Sequence, residues 1–236
     1  MKLGIMQPYF LPYIGYFQLL ASVDQFIMYD NIKYTKKGWI NRNRMVSNGK
    51  DAVFSLPLKK GSDSLYVVER ELAEEFDRSK LLNQFKGAYG RAPQFELTYP
   101  VLERIVQHDE VNLFHYIHHS IVQLCEHLGI KTEIRISSEI LIDHKLKGQE
   151  KVLALCKAAG ADTYINTIGG LELYAKSDFR SQGVDLQFIK ARPFEYAQFG
   201  AQFVPWLSIV DVLMFNPIDL VHERIHSGFD LLGVTV

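Results

Sequence analysis

Apolar and polar positions divide the chain into short buried runs and longer amphipathic segments. The first apolar run, residues 3–6, shows no alternation of polar and apolar positions, which is typical of a strand buried on both faces. The apolar spacing over residues 13–22 predicts a helix, and the run over residues 25–29 predicts a second buried strand. A strand, a helix and a strand in this order indicate a βαβ unit and therefore a parallel sheet.

The polar stretch that follows predicts a different element, a β-hairpin. Residues 38–45 and 51–58 have the composition of two strands, and Ser47, Asn48 and Gly49 lie between them. The Asn-Gly pair favours the tight turn that joins two antiparallel strands. We therefore expect a β-hairpin inserted into the α/β part of the chain.

The remaining pattern completes a mixed fold. Apolar residues recur at helical spacing in three consecutive segments, residues 77–89, 93–106 and 111–128. Strands are then predicted over residues 132–136, 163–166 and 186–189, with helices over residues 149–159 and 205–215. The pattern predicts an α/β fold with a mostly parallel, Rossmann-like sheet, a β-hairpin insertion and a helical middle section. We expect a single α/β domain over residues 1–236, with a helical subdomain at about residues 75–130.

Composition narrows the class of protein. Of the 236 residues, 47% are hydrophobic and 22% are charged, as in ordinary globular proteins, and the net charge of −1 gives no overall field that attracts nucleic acid. No stretch approaches the roughly 18 to 20 apolar residues of a membrane span, and the N-terminus lacks the apolar run of a signal peptide. Cys125 and Cys156 lie in apolar helical patterns, which indicates buried thiols in a reducing compartment. We expect a cytoplasmic protein without a nucleic-acid partner.

The loop after the first strand is the first candidate site. Ligands of open parallel sheets bind beyond the carboxyl ends of the strands, and a helix beginning near Tyr13 would direct its free N–H groups at this loop. That geometry favours a phosphate or a carboxylate, with Gln7 and Tyr9 as candidate substrate-binding residues. The chain has neither GxGxxG nor GxxxxGK[ST], which disfavours ordinary dinucleotide and P-loop sites.

The layout of this loop resembles that of the HIGH-type nucleotidyltransferases, in which a His-x-Gly-His element at a helix start binds triphosphate. The matching stretch here is Tyr13-Ile14-Gly15-Tyr16, in which the glycine fits and both histidines are tyrosines. A phenol stays neutral at pH 7, so Tyr13 and Tyr16 are candidates for donating hydrogen bonds rather than for neutralising phosphate. An aromatic core around a proline-rich bend explains the same residues equally well.

The basic segment that follows is a second candidate site. Arginine binds phosphate or carboxylate with two parallel hydrogen bonds, and tryptophan stacks on a sugar or a base. On a strand, the tryptophan and the asparagines would share one face and the two arginines the other. The candidate substrate-binding residues are Lys36, Trp39, Asn41, Arg42, Asn43 and Arg44. A hairpin edge protected from aggregation by its charges is the alternative.

A third polar group lies in the C-terminal half. Asn166 ends a predicted strand, and Gly169 and Gly170 after it allow close approach of a ligand to the backbone. Gln198 is a further candidate for substrate binding. Asp211 is a candidate catalytic residue, although pairing with a nearby basic side chain explains it as well.

The clustered histidines are weak candidates for metal ligands. His115 and His119 lie four residues apart on one predicted helix, a spacing that can bind zinc. There is no HExxH glutamate and no cysteine at ligand spacing, so a solvent-facing helix edge explains them better. We assign no metal ligands, and the sequence shows neither whether a metal is used nor which cofactor is bound.

Several segments resemble the WbqC-like protein family, and together they extend over nearly the whole chain. They are Met6 to Phe17, Trp39 to Arg44, Tyr164 to Asn166 with Gly169, Gly170 and Tyr174, Tyr196 with Gln198, and Pro205 to Asn216. The resemblance implies a product of bacterial surface-polysaccharide gene clusters, including O-antigen clusters, with a role in attaching an amino acid such as glycine to an amino sugar. It carries over no catalytic residues.

These observations lead to one hypothesis with two rivals. The protein is predicted to be a transferase of O-antigen and lipopolysaccharide biosynthesis that moves an acyl or aminoacyl group, such as glycyl, to an amino sugar carried on a nucleotide. Its partner would be this small-molecule nucleotide sugar. The rivals are a degenerate HIGH-type nucleotidyltransferase and a non-catalytic sugar-nucleotide binding protein.

Each candidate residue has a predicted role in the transfer. Lys36, Arg42 and Arg44 would hold the diphosphate, and Trp39 or Tyr9 would stack on the sugar or the base. The acceptor would be oriented by Tyr13, Tyr16 and Asn41, and the two tyrosines are candidate catalytic residues together with Asp211. Asp211 would accept the proton that the attacking amine must lose. The sequence indicates neither the acyl donor nor the oligomeric state.

Overall fold

The computed structural model describes residues 1–200 and 202–233. The strands in this part are β1 (Lys2–Met6), β2 (Gln25–Met28), β3 (Arg42–Ser47), β4 (Lys50–Ser55), β5 (Glu133–Ile136), β6 (Thr163–Thr167), β7 (Asp185–Ala191) and β8 (Phe229–Gly233). The helices are α1 (Ile14–Ala21), α2 (Arg78–Tyr89), α3 (Phe95–Val106), α4 (Leu113–His127), α5 (Gly148–Ala159), α6 (Lys176–Ser181), α7 (Ile209–Phe215) and α8 (Ile218–Ser227). Short 3-10 turns cover Val67–Glu69, Ser137–Glu139 and Ile168–Leu173.

The main sheet has the strand order β5-β2-β1-β6-β7-β8. All neighbouring strands run parallel except β7 and β8, which are antiparallel. The chain moves outward from β1 to β2 and β5, and then returns to β6 on the other side of β1. The direction of winding therefore reverses between β1 and β6, and such a switch point is where open α/β sheets bind ligands. The predicted mostly parallel, Rossmann-like sheet is confirmed.

Side chains of β1 alternate between two hydrophobic cores, one on each face of the sheet. Leu3 and Ile5 face the core that α5 and α6 help to form. Gly4 faces α1, and a Cβ at this position would lie 3.1 Å from the ring of Phe26 and 3.5 Å from Leu19. The absence of a side chain at Gly4 thus lets α1 pack close to the first two strands.

The hairpin and the helical middle section share the core on the α1 side of the sheet. Phe54 of β4 meets Phe85 of α2 with ring centroids 5.0 Å apart, and Phe10 of the β1–α1 loop meets Phe54 at 6.0 Å. These rings connect the hairpin to the sheet on one side and to the middle helices on the other. The division into one domain with a helical subdomain stays a prediction.

The hairpin differs from its prediction at both ends. Its strands are shorter than the predicted residues 38–45 and 51–58. The carbonyl of Asn41 still accepts from the N–H of Leu56 at 2.8 Å, but Ile40 bonds to a different partner. The carbonyl of Ile40 accepts from the N–H of Phe10 at 2.8 Å, outside the hairpin. The predicted Asn-Gly turn is confirmed, since Asn48 and Gly49 have φ values of +51° and +74°, as a type I′ turn requires.

The structure also bears on the predictions about the two cysteines and about membrane spans. Cys125 and Cys156 are buried free thiols, as the sequence predicted, and burial raises the pKa of each to about 12. Among the helices of residues 1–200 and 202–233, none has both the length and the apolar character needed to cross a bilayer.

Candidate functional site

A pocket of about 270 Å³ opens where the β1–α1 loop, the hairpin and the segment before α7 meet. We call it the aromatic hollow, and its lining residues are Tyr9, Pro12, Tyr13, Trp39, Asn43, Arg44 and Trp206. Five of the sequence-predicted site residues are therefore brought together, although they come from two separate segments. In particular, Tyr13 and Arg44 line the same pocket.

Aromatic rings form most of the wall of the aromatic hollow. Trp206 is 65% exposed and Trp39 is 44% exposed, while Tyr13 meets Trp206 edge-on with centroids 6.4 Å apart. The guanidinium carbon of Arg44 lies 5.9 Å from the centre of the Trp39 ring, within the range of a cation–π contact. Large rings left open to solvent in a concave wall mark a place where another apolar surface binds.

Two residues of this region have backbone conformations that are uncommon outside glycine. Leu11 has φ of +47° and Trp206 has φ of +60°. Such outliers persist only where the surroundings hold them, and they cluster at functional sites. Trp206 also explains why the helix predicted over residues 205–215 begins only at Ile209, because a residue at this φ cannot belong to a right-handed helix.

Hydrogen bonds from neighbouring elements hold both strained residues. The Nη2 of Arg44 donates to the carbonyl of Trp206 at 3.0 Å. The carbonyl of Leu11 accepts from the Nδ2 of Asn43 at 2.8 Å and from the Oγ of Ser208 at 2.7 Å. Three segments distant in sequence are thereby joined at their backbones, so the wall of the hollow is fixed before any ligand arrives.

Tyr13 owes its position to the glycine two residues later. A Cβ on Gly15 would overlap the ring of Tyr13, so the ring lies directly over the glycine. Burial raises the pKa of Tyr13, and it also raises the pKa of Tyr9. Both phenols therefore stay protonated at neutral pH and are available as hydrogen-bond donors.

Asp211 lies behind the hollow, fully buried. One carboxylate oxygen accepts from the hydroxyl of Tyr196 at 2.7 Å and from the Nε2 of Gln198 at 2.7 Å, and the other accepts from the hydroxyl of Tyr89 at 2.9 Å. Burial raises the pKa of Asp211, and the hydrogen bonds from Tyr196, Gln198 and Tyr89 oppose that rise. A substrate amine would have to displace a donor, so the geometry favours a structural role over the predicted role as proton acceptor.

Gln198 connects Asp211 to the segment that carries Trp206. Its Nε2 donates to the carbonyl of Val204 at 3.2 Å, and its Oε1 accepts from the N–H of Val204 at 2.8 Å. Gln198 was predicted to bind substrate, but its amide is occupied by the protein itself. Together, Asp211 and Gln198 anchor the segment that ends at the exposed Trp206.

Other predicted site residues lie outside the aromatic hollow. The hydroxyl of Tyr16 donates to the carbonyl of Gln7 at 3.0 Å from within the core. Asn41 donates to the carbonyl of Leu56 at 2.8 Å, and it lines a separate surface groove together with Lys36. The ammonium of Lys36 pairs with Asp63 at 2.7 Å.

The predicted diphosphate site is therefore divided. The Nε of Arg42 donates to the carbonyl of Gly38 at 2.9 Å, and its Nη2 donates to the carbonyl of Lys37 at 2.7 Å. Of Lys36, Arg42 and Arg44, the three cations assigned to the diphosphate, Arg44 is the one that lines the hollow.

Asn166, Gly169 and Gly170 follow at the carboxyl end of β6, beside the switch point of the sheet. The Oδ1 of Asn166 accepts from the N–H of Thr167 at 2.7 Å. A Cβ on Gly170 would lie 2.5 Å from the Nδ2 of Asn166, so this glycine makes room for the amide, whereas Gly169 is open. None of the three lines the aromatic hollow.

Two further cavities are lined mostly by residues that were not predicted as site residues. One, of about 240 Å³, shares Tyr13 and Trp206 with the hollow and continues along residues 191–196. The other, of about 1040 Å³, lies at the carboxyl ends of the parallel strands, and Gln7 is the one predicted site residue that it contains. We call the larger one the carboxyl-edge cleft.

The chain is similar to known proteins over most of its length. The model of the WbqC-like protein family matches residues 7–223, a range that contains every residue of the aromatic hollow. An uncharacterized protein of Mycobacterium tuberculosis is 27% identical over 219 residues, which are 91% of this chain and 93% of that protein. No solved structure matches the chain.

Proposed function

The chain belongs to the WbqC-like protein family, and on that premise we propose that it transfers an acyl or aminoacyl group to an amino sugar carried on a nucleotide. The transferred group would be a small one such as glycyl, and the product would serve bacterial surface-polysaccharide synthesis, including that of O antigen. The reaction would take place in the cytoplasm, where sugar nucleotides are made.

The observation that carries this proposal is the aromatic wall of the hollow. A pyranose presents apolar C–H faces, which pack on aromatic rings, and polar groups around its edge. Trp39 and Trp206 offer exposed ring surface of this kind, and Tyr13 offers a neutral hydroxyl beside them. The volume of about 270 Å³ suits a single sugar rather than a polymer or a protein segment.

The proposed chemistry follows from the two reacting groups. The sugar amine attacks the acyl carbon, a C–N bond forms, the bond from that carbon to the leaving group breaks, and the amine releases a proton to water or to the leaving group. Tyr13 stands in the hollow as a protonated phenol, and we propose that it orients the acceptor by donating a hydrogen bond. Arg44 lies on the same wall, but its guanidinium is already paired with Asp51 at 3.2 Å, so we assign it no anionic part of the ligand.

A transfer assay with mass spectrometry tests the proposal. The protein would be incubated with a UDP-linked amino sugar and with glycine supplied as a thioester, as an adenylate or on tRNA. We expect the sugar nucleotide to gain one glycyl group, and we expect Trp39→Ala and Trp206→Ala to remove most of the product. Tyr99→Ala is the matched control, because Tyr99 stacks on Phe95 in α3 with centroids 4.8 Å apart and lies outside the hollow.

Two other outcomes of this assay would contradict the proposed transfer. If no donor yields product and the sugar nucleotide does not bind to the protein, the proposed transfer is wrong. Tight binding without turnover would instead select a sugar-nucleotide binding protein.

Nucleotidyl transfer is the second candidate, and the position of the β1–α1 loop favours it. The loop leaves the carboxyl end of β1 at the switch point, and Gly15 occupies the place of the glycine in the HIGH element. Release of pyrophosphate from a nucleoside triphosphate would select this candidate over acyl transfer.

A further inference from the structure

The carboxyl-edge cleft has no role in the proposed function, which places the sugar in the aromatic hollow. Its volume is about 1040 Å³, and it lies beyond the carboxyl ends of β1, β2 and β6. Gln7 follows β1, Tyr29 follows β2, and Tyr174 comes after β6, while residues 143–148 close the side next to α5. This is the position at which open α/β sheets hold their ligands.

The charge of this cleft is unlike that of the whole chain. Four lysines and one aspartate line it, whereas the chain carries a net charge of −1. The lysines are Lys33, Lys145, Lys147 and Lys151. In the part of the chain that the structure describes, none of these four forms an ion pair with a carboxylate. Cations gathered in a concave surface focus a positive field that attracts anions.

Lys151 is the most enclosed of these cations, at 6% exposure. Its Nζ donates to the Oδ1 of Asn31 at 2.7 Å and lies 5.1 Å from the centre of the Tyr29 ring. Burial lowers the pKa of Lys151, and the nearby charge of Asp30 acts in the opposite direction. A buried ammonium in a cleft is stabilised when an anion binds beside it.

The partners of Lys151 are themselves fixed. The Nδ2 of Asn31 lies 3.0 Å from the Nδ1 of His144. The hydroxyl of Ser137 lies 2.8 Å from both the Oδ1 of Asn31 and the Oδ1 of Asp30, which share its one proton. Asp30 also accepts from the N–H of Ser138 at 3.0 Å. The lysine is therefore held by an ordered network that joins the ends of β2 and β5.

The cleft and the aromatic hollow meet at the β1–α1 loop. Gln7 lines the cleft and Tyr9 lines the hollow, and the Tyr9 hydroxyl lies 3.5 Å from the Oε1 of Gln7. A ligand that crosses this loop would place one end among rings and the other among lysines. The cleft also contains Tyr66, which is 45% exposed and offers a surface on which a base can stack.

We propose that the carboxyl-edge cleft binds the diphosphate group of a nucleotide, with Lys33, Lys147 and Lys151 as its cationic contacts. Lysine acts as a point charge toward phosphate, so the contacts need no fixed fork geometry. The inference rests on the proposed function only in placing the sugar in the hollow. It moves the diphosphate away from Lys36 and Arg42, whose groups are bound elsewhere in the protein.

Calorimetric titration of the full chain tests the proposal, with UDP, a UDP-linked amino sugar and ATP as separate ligands. We expect UDP to bind and its affinity to fall with added salt. We expect the double variant Lys33→Gln/Lys147→Gln to lose about tenfold or more of that affinity, since two charged contacts to phosphate are removed. The double variant Lys131→Gln/Lys157→Gln makes the same charge change at exposed positions outside the cleft and should bind UDP as the wild type does.

The outcomes separate this inference from the proposed function. If none of the three ligands binds, or if the cleft variant binds as tightly as the control, the diphosphate site is wrong. If ATP alone binds, and does so through Lys33 and Lys147, the phosphate site in the cleft is supported and the proposal of a sugar-nucleotide acceptor is wrong. If Trp206→Ala weakens binding of the UDP-linked amino sugar and leaves UDP binding unchanged, both the diphosphate site in the cleft and the sugar site in the hollow are supported.

Discussion

The aromatic hollow and the carboxyl-edge cleft lie on two sides of one loop, and they are built by opposite means. The hollow presents exposed rings, and Arg44, its cation, is already paired with Asp51 at 3.2 Å. The cleft presents four lysines that have no carboxylate partner in the described residues. The hollow therefore suits a neutral surface recognised by shape, and the cleft suits a charged group recognised by its field.

The two regions also differ in how firmly they are held. Backbone carbonyls of Leu11 and Trp206 receive side-chain hydrogen bonds, so the wall of the hollow is preorganised. In the cleft, Asn31 holds Lys151, whereas Lys33, Lys145 and Lys147 are exposed side chains. A nearly neutral net charge therefore says little about the charge of a local site, because opposite charges elsewhere on the surface cancel it.

Removal of Asp211 is the largest expected perturbation, and it reaches the hollow through the segment that carries Trp206. Asp211→Ala leaves the buried donors of Tyr89, Tyr196 and Gln198 without their acceptor, so we expect the free energy of unfolding to fall by about 3 to 5 kcal/mol. Chemical denaturation measures the change. Asp219→Ala, at an exposed position of α8, is the control and should change stability by less than about 0.5 kcal/mol. A loss below about 1 kcal/mol for Asp211→Ala would contradict the anchoring role.

The double variant Trp39→Ala/Trp206→Ala separates the two regions by ligand. We expect the affinity for a UDP-linked amino sugar to fall about 30-fold, since each stacking contact contributes about 1 kcal/mol. Affinity for UDP should stay unchanged, because neither tryptophan lines the cleft. Calorimetric titration of the wild type and the double variant with each of the two ligands measures both affinities. An equal loss for UDP would show that the nucleotide itself stacks in the hollow.

Gly15→Ala tests the placement of a single ring. The new Cβ would displace the ring of Tyr13, so we expect about a three- to tenfold loss in affinity for the amino sugar ligand. Stability should stay equal or rise by up to about 1 kcal/mol, because alanine favours a helix over glycine.

Gly87→Ala in α2 is the matched control for this variant. No atom lies within 4 Å of the position that a Cβ would take on Gly87, so this variant should gain helix stability without any change in ligand affinity. If Gly15→Ala behaves as Gly87→Ala does, Tyr13 makes no contact that the ligand needs.

The smallest expected effect is a dependence of stability on pH. Burial raises the pKa of Asp211 above the ordinary value of 3.8, so the protonated form favours the folded state. The stability of the wild type relative to Asp211→Asn should therefore increase as pH falls from neutral toward that value, and it should be lost as pH rises through the folded-state pKa. Urea denaturation of both proteins over this range measures it, and a difference that is constant with pH would contradict the raised pKa.

Much of the fold could be predicted because its signals are local. Buried parallel strands appear as short apolar runs, amphipathic helices as spaced apolar residues, and the hairpin turn as Asn48-Gly49. The C-terminal elements α8 and β8 gave weaker signals. In α8 only Val221 and Ile225 are buried, and β8 is a short edge strand that ends in glycine.

The candidate site was predictable only in part, because its decisive contacts are long-range. The sequence marked Tyr13 and Arg44 as candidates, but their meeting depends on contacts between the β1–α1 loop and a hairpin that lies outside the main sheet. The partners of Asp211 were not predictable either, since Tyr89 lies 122 residues away in sequence. Trp206 was included in a predicted helix, because apolar spacing carries no sign of a positive φ.

The clustering of the lysines in the cleft could not be predicted from the sequence, for a different reason. Lys33 lies just after β2, whereas Lys145, Lys147 and Lys151 belong to the approach to α5 and its first turn. Neither segment contains a recognisable phosphate-binding motif, and the two converge only because β2 and β5 are neighbours in the sheet. A charge pattern read along the chain cannot show such a convergence.

The chain contains two tryptophans, and both line the aromatic hollow. Intrinsic fluorescence excited at the indole band therefore reports on that pocket, without labels or engineering. A sugar that covers the indoles would shift or quench their emission, whereas a ligand confined to the lysines would leave the spectrum nearly unchanged. Occupancy of the aromatic hollow can thus be followed optically in the native protein, apart from any binding in the neighbouring cleft.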